Sequence, residues 1–400
     1  MQLRVPVDLD RFRSSPIGDL VPITGQDALL KRDYKHAAYV PRALPAKVEL
    51  SQSTYKSLMD AERAVGRLDA AADGLPNPNL LVRPTLYQEA VSTSALEGTY
   101  APLLDVLEAD YVDERRQSQE VKEVLNYVRA AGRGLELIKQ KPICVAVIAE
   151  LQGMLVRGTR GDLADAGGLR RGQVYIGERA RGITSARFVP PPAGDHLADG
   201  MSEWEKWINA DNDVPLLVKA ALGHYQFETL HPFSDGNGRL GRLIIVLQLV
   251  ADGALRYPIL NLSPFFEPRK DTYKDLLLET SASGDFEPWV SFFAEAVTVQ
   301  ATDAKTRIER LLEIRSEMLQ DLKRDRARGV VLEIVEDLIG YPVITVPQAA
   351  ALHRVTFPPA NNAIDRLVRL GHLQEMTGRS YGRVFAAPAV MAAVNDPQIG

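Results

Sequence analysis

Cysteine is almost missing from this chain: Cys144 is the only one in 400 residues. An intramolecular disulfide is therefore impossible, and a reducing, cytoplasmic setting is expected. Histidine is scarce too, and His36, His196, His353 and His372 stand in no ligand-like spacing, so no zinc site is expected. Long apolar runs are lacking. The longest, Leu243 to Val250, is too short to span a bilayer and is interrupted by Gln248. The stretch MQLRVPVDLDRFRSS has no apolar core of the kind a secretory signal needs. A large excess of one charge is lacking as well: the net charge is −5 and the pI about 5.8. That excludes a strong global attraction to nucleic acid or to an anionic membrane. There is no internal repeat and no low-complexity tract. What remains is 46% hydrophobic and 25% charged, ordinary for a soluble globular protein with a large core and a smaller second domain.

Residues 1 to about 50 carry scattered prolines and little periodicity, which predicts an irregular arm around the main body. From Ser51 onward, apolar residues recur at three- and four-residue spacing, the mark of helices. Strand signals are sparse until Gln173 to Pro190, where QVYI and ARFV flank a polar middle and predict a hairpin. Cys144, in PICVAVIAEL, is expected to be an inert core residue. The stretch from Ala301 to Arg328 is long, amphipathic and charged, and is expected to link two domains. The last seventy residues read as three helices and two short strands, like a winged helix. Val330 to Gly400 hold five Arg and Lys against six Asp and Glu, so phosphate neutralisation there is weak. A protein-interaction or dimerisation role is favoured over DNA binding, for which Arg366, Arg369, Arg379 and Arg383 could form only a local patch.

The most informative stretch is His231 to Arg242, HPFSDGNGRLGR. It follows a helix that Pro232 stops and precedes one whose Leu240, Leu243, Ile244 and Leu247 face inward. Cations at a helix start are unfavourable unless an anion sits in front of them. Gly236 and Gly238 let backbone N–H groups approach a ligand, Asn237 is a candidate N-cap, and Arg239 and Arg242 share a helix face. These features describe a phosphate cradle with two guanidinium clamps. Asp235 at its rim needs a bridging cation, which fits Mg²⁺. His231, neutral above a pH of about 6.5, can take a proton from an attacking hydroxyl. The set reads as a phosphoryl- or nucleotidyl-transfer site. A plain glycine turn between packed helices would leave the two arginines without a reason. His224, seven residues before His231, is expected in the core.

HPFSDGNGRLGR matches the HPFx(D/E)GNGRxxR signature of Fic-domain proteins without departure. GGLRRGQVYIG with ARFVPPP, and SPFFEPRKDTYKDLLLET with WVSFF, resemble other parts of that family, over roughly residues 20 to 300. The resemblance implies a mostly α fold: a helical-bundle core with a β-hairpin flap, and here a C-terminal winged-helix-like domain. Expected boundaries are 1–110 for an N-terminal arm and inhibitory-helix region, 111–300 for the catalytic domain, 301–329 for a linker helix and 330–400 for the winged-helix-like domain. It also implies AMP transfer from ATP to a Ser, Thr or Tyr hydroxyl of a target protein. His231 would be the base and Asp235 the Mg²⁺ ligand. Gly236, Asn237, Gly238, Arg239 and Arg242 would bind phosphates, with Tyr273 at the adenine end and Phe233 anchoring the loop. The flap residues Val174, Tyr175, Ile176 and Gly177 would dock the target by strand addition. TSALEG, Thr93 to Gly98, resembles the family's (S/T)xxxE(G/N) inhibitory helix, with Glu97 reaching Arg242 and Thr93 and Gly98 shaping its end. Self-modification and a homodimer stay open, as do removal of AMP and transfer of another phosphate-containing group. The related Doc toxins phosphorylate, but their motif departs from GNGR.

Overall fold

A computed structural model describes residues 9–27, 30–75, 77–109, 117–177, 181–378 and 382–395. The chain opens with α1 (Asp10–Arg13), β1 (Gly18–Gln26) and β2 (Asp33–Pro41). The helical body follows: α2 (Gln52–Ala72), α3 (Asn79–Leu96), α4 (Leu103–Glu108), α5 (Gln119–Leu137), α6 (Val145–Val156), α7 (Asp195–Ile208), α8 (Leu216–Leu230) and α9 (Asn237–Ala251). It continues with α10 (Ser263–Phe266), α11 (Lys270–Ser283) and α12 (Glu287–Arg324). The C-terminal part is α13 (Val330–Asp337), β3 (Val343–Thr345), α14 (Val346–Leu352), α15 (Phe357–Arg369), β4 (Gln374–Glu375), β5 (Val384–Ala386) and α16 (Pro388–Asn395). The fold is mostly α, as expected. No helix among the described residues is long and apolar enough to cross a membrane.

The centre of the body is the pair α8 and α9. Both are buried on nearly every side, so neither shows a single apolar stripe. Trp289 of α12 lies beneath them and donates its indole N–H to the Ala221 carbonyl at 2.8 Å, while Trp204 of α7 donates to Gly223 at 2.8 Å. Ser51 caps α2 and Ser118 caps α5, each accepting an N–H three residues on.

Three expectations need correction. The first fifty residues are not an irregular arm: Gly18 to Gln26 and Asp33 to Pro41 pair as an antiparallel hairpin, Gly18 opposite Pro41 and Gln26 opposite Asp33. Pro22 and Pro41 disguise it, because proline is tolerated on an edge strand but weakens the strand pattern. The segment from 173 to 190 is less regular than a hairpin. A single bridge joins Ile176 and Phe188, and a 3₁₀ turn occupies Ile183–Ser185; residues 178–180 lie outside the described set. Asn237 is not the cap of α9 but its first residue; the cap position is Gly236, at φ 81°. The charged stretch after Ala301, expected as a linker helix, does more than link. It is the second half of α12, packed along α2, with Ala304, Arg307, Ile308, Leu311, Ile314, Met318 and Leu322 buried. Cys144 is half-buried at the start of α6 and packs against the core.

The last part has the strand order β3-β5-β4 with three helices before the wing strands, the winged-helix arrangement. Its apolar residues join the same continuous core as the body, and α16 packs back on α12 and α3. Arg366 is paired with Asp325 at 2.5 Å, and Arg383 with Asn361 and Asp365; Arg379 lies outside the described residues.

If the second half of α12 belongs to the core, Leu311→Ala should lower unfolding stability by about 2–5 kcal/mol. Urea unfolding measures this. An unshifted midpoint would restore the linker reading.

Candidate active site

His231 ends α8 in the left-handed conformation, φ 47° and ψ 60°, which is uncommon for a residue with a side chain. Its N–H closes the helix on the Phe227 carbonyl at 2.9 Å, and Pro232 prevents any continuation. The loop then turns inward. Phe233 is fully buried, its ring 6.5 Å from that of Phe227. Asn237 fastens the turn: it accepts from the Phe233 N–H at 2.9 Å and donates to the Phe233 carbonyl at 2.7 Å. No side chain caps α9, so its first-turn N–H groups are left for a ligand. Asp235 accepts from the Gly236 N–H at 2.6 Å and keeps about a third of its side chain (34%) exposed. That suits a metal held by one carboxylate together with substrate phosphates. Among the described residues no group of three or more His, Cys, Asp or Glu gathers into an all-protein cage.

Both arginines are buried and both face carboxylates. Arg239 lies 3.3 Å from Glu123 of α5 and 3.7 Å from Asp235. Arg242 donates through Nε to Thr93 Oγ1 at 2.7 Å, and through Nη2 to the Thr93 carbonyl at 3.1 Å and to Glu97 Oε1 at 2.6 Å. Burial alone would raise the Glu97 carboxyl, but the Arg242 guanidinium outweighs it and holds it at about 2. Glu97 is placed by the end of α3. Gly98, at φ 91°, donates to Ala95 at 3.0 Å and Thr99 donates to Ser94 at 2.9 Å, which is the Schellman pattern. Thr99 also donates its hydroxyl to Glu123 at 2.8 Å. The segment ending α3 thus supplies or touches a carboxylate on each of the two arginines. Buried Glu89 accepts the Ser263 N–H at 3.0 Å and its hydroxyl as well, fastening α3 to α10.

Glu97, Glu228, His231, Gly238 and Arg242 line one side of a cleft; Ile176, Phe188, Tyr273, Lys274 and Leu277 line the rest. His231 is held neutral: burial lowers its proton affinity most and Arg170 next, to about 4. Glu228, three residues before it, places Oε2 4.0 Å from Nδ1 and its backbone carbonyl 3.4 Å away. Burial pushes the Glu228 carboxyl up to about 7, and Glu97 adds to that. His224 is a core residue, hydrogen-bonded to the Tyr273 hydroxyl at 2.7 Å. Tyr273 is 3% exposed with its ring stacked on Phe266, so it forms the floor of the cleft with its hydroxyl already engaged.

Of the expected flap residues, Ile176 lines the same cleft as His231. The Ile176 N–H donates to Phe188 at 2.8 Å, and the chain at 189 is held in turn by the Tyr39 N–H at 2.9 Å. The N-terminal hairpin therefore backs the flap on one side, with Phe12, Tyr39 and Phe188 packed as an aromatic cluster. Gly177 is needed where it sits: at φ 153° a Cβ would come within 3.0 Å of the Arg187 nitrogen.

The uncapped start of α9, the buried Arg242 and the neutral imidazole of His231 meet at one cleft, an arrangement that suits an anionic ligand. Residues 55–136 match the family model described as Fic/DOC family N-terminal, and residues 142–249 the model of the Fic/DOC family. The chain is similar to the protein adenylyltransferase Fic of Drosophila ananassae, 30% identical over 221 residues, and of Drosophila willistoni, 29% over 253. The matches cover 52% and 58% of this chain but only 39% and 46% of those proteins, so the chain spans less than half the length of the curated relatives it matches. A crystal structure of a Fic family protein from Desulfovibrio desulfuricans G20 aligns over 86% of this chain and 98% of that one, with a TM-score of 0.56 and 19% identity, a likeness of fold.

Sequence reasoning missed Glu123, Glu228, Arg170 and Lys274. Only Glu228 carried a signal, its three-residue spacing from His231. Removing the Asn237 fastening should matter locally: Asn237→Ala is expected to cost about 1–3 kcal/mol and to weaken nucleotide binding. Thermal unfolding with and without ATP reads both, and an unchanged melting temperature would show that the turn does not need the fastening.

Proposed function

We propose that this chain is a protein adenylyltransferase that moves AMP from ATP to a Ser, Thr or Tyr hydroxyl, restrained by Glu97. The observation that carries the reading is a neutral His231 beside an uncapped, doubly arginine-flanked helix start. The adenylyltransferase name of the relatives supports it. The target segment lies along Val174 to Gly177 as an added strand, which brings its hydroxyl to His231. The imidazole takes the hydroxyl proton, the oxygen bonds to the α-phosphorus, and the bond to the β-phosphate oxygen breaks, releasing pyrophosphate. The α9 N–H groups, Arg239 and Arg242 hold the phosphates. Asp235 would hold Mg²⁺, which, when bound, neutralises charge on the phosphate oxygens. Glu97, seated on Arg242, denies that guanidinium to the γ-phosphate and leaves the triphosphate misaligned. A protein target and ATP as donor follow from this reading.

α-Labelled ATP with Mg²⁺ should label protein and γ-labelled ATP should not; the reverse pattern would mean phosphorylation. His231→Ala should lose at least about 10²-fold in transfer while keeping ATP binding, and retained activity would remove it as the base. Glu97→Gly should speed transfer about 10²-fold, with the gain absent when His231→Ala is added. An unchanged rate would sink the restraint. The imidazole is depressed to about 4, so it is neutral above that pH and the rate should fall only as pH drops through about 4. A lower limb near about 6.5, the ordinary histidine value, would contradict a buried base. Glu97, held at about 2, stays ionised throughout, so mild acid should not release it.

A further inference from the structure

The loop that carries His231 rests on one buried cation. Arg170 is 2% exposed. Its Nε donates to the His231 carbonyl at 2.8 Å, Nη1 to Gly172 at 3.1 Å, and Nη2 to Pro191 at 2.6 Å and Leu230 at 3.4 Å. Its backbone N–H donates to the Pro232 carbonyl at 2.9 Å. One residue therefore engages three consecutive carbonyls, at 230, 231 and 232, and ties them to the segment entering and leaving the flap. Among the described residues no carboxylate pairs with Arg170. A buried guanidinium ordinarily has such a partner, because taking a charge out of water is costly. Carbonyl dipoles alone solvate this one, so its charge is not cancelled next to the imidazole.

We propose that Arg170 is the positioning residue of the His231 loop: its fork fixes the left-handed backbone at His231 and sets an uncompensated positive charge beside the ring. The proposal rests on His231 as the base of the transfer reaction. The groups that face the ring are Glu228 from α8, with Oε2 4.0 Å from Nδ1, Glu97 from α3, and Arg170. Arg242, Lys274 and Arg187 share the cleft. Arg242 is engaged by Glu97 and Arg187 by Asp275, so neither presents a bare charge. Burial and Arg170 act in the same direction on His231, against the Glu228 carbonyl and Glu97. The guanidinium thus does two jobs that separate on substitution. The fork geometry holds the backbone, and the charge keeps the ring free of a proton.

The test is the imidazole titration of the full chain by NMR, with the His231 signal assigned by its loss in His231→Ala. In wild type the ring should remain unprotonated at pH 5. In Arg170→Met the midpoint should rise by about one pH unit or more. Arg170→Lys keeps the charge but not the fork. Its midpoint should stay low, while transfer falls about tenfold or more with ATP affinity unchanged. An unmoved midpoint in folded Arg170→Met overturns the electrostatic half, and wild-type transfer by Arg170→Lys overturns the geometric half. Should the methionine variant fail to fold, the lysine variant decides: a midpoint that rises despite the retained charge contradicts the proposal. The titration needs no turnover, so absence of AMP transfer in wild type would remove the functional reading and leave the Arg170 result standing.

Discussion

The ion pair between Arg242 and Glu97 is the contact around which the site is built. A guanidinium 2% exposed near the start of a helix has no natural place there, since the helix end is itself positive. It needs an anion. In this state the chain supplies one from 145 residues away, and the surrounding structure serves to deliver it. Thr93 takes two of the Arg242 donors. The Schellman turn at Gly98 ends α3 where Glu97 can reach, and Glu89 locks the same helix to Ser263. Under the proposed function a triphosphate would need the same guanidinium, so Glu97 and the ligand would compete for one group.

The second arginine is arranged differently. Arg239 leans on Glu123 and, more distantly, on Asp235, so its charge is shared between a supporting carboxylate and the one that suits a metal. Thr99 links Glu123 to the end of α3. Both cationic clamps thus face carboxylates that the end of α3 supplies or touches. His231 is fastened separately, in a loop held by Arg170, Asn237 and the buried Phe233.

The twelve residues from His231 to Arg242 were legible because they are contiguous and each requires a physical reason. The mostly helical body was legible because amphipathic spacing is local. The partner of Arg242 could be expected only from the short TSALEG stretch and its likeness to a family pattern. Arg170 and Glu123 could not be read, since they meet the site from loops and helices 61 and 116 residues away, and nothing in their neighbours marks them. The N-terminal hairpin was hidden by Pro22 and Pro41, and its role only emerges where Tyr39 meets Val189. Asn237 looked like a cap because asparagine commonly is one. Its two bonds to Phe233 show that fastening the turn took precedence, with Gly236 left to start the helix. The charged half of α12 read as a linker because its polar face dominates the composition, while its narrow apolar stripe is what packs along α2.

Competition for Arg242 can be measured without turnover. Calorimetric titration of wild type and Glu97→Gly with ATP and with ADP asks whether the γ-phosphate is felt. The account predicts near-equal affinities in wild type, where Arg242 is occupied, and a preference of roughly tenfold or more for ATP in the variant, the worth of a charge-assisted arginine contact. The same ATP-to-ADP ratio in both proteins would show that Glu97 and the triphosphate do not share Arg242, and the central claim would fail.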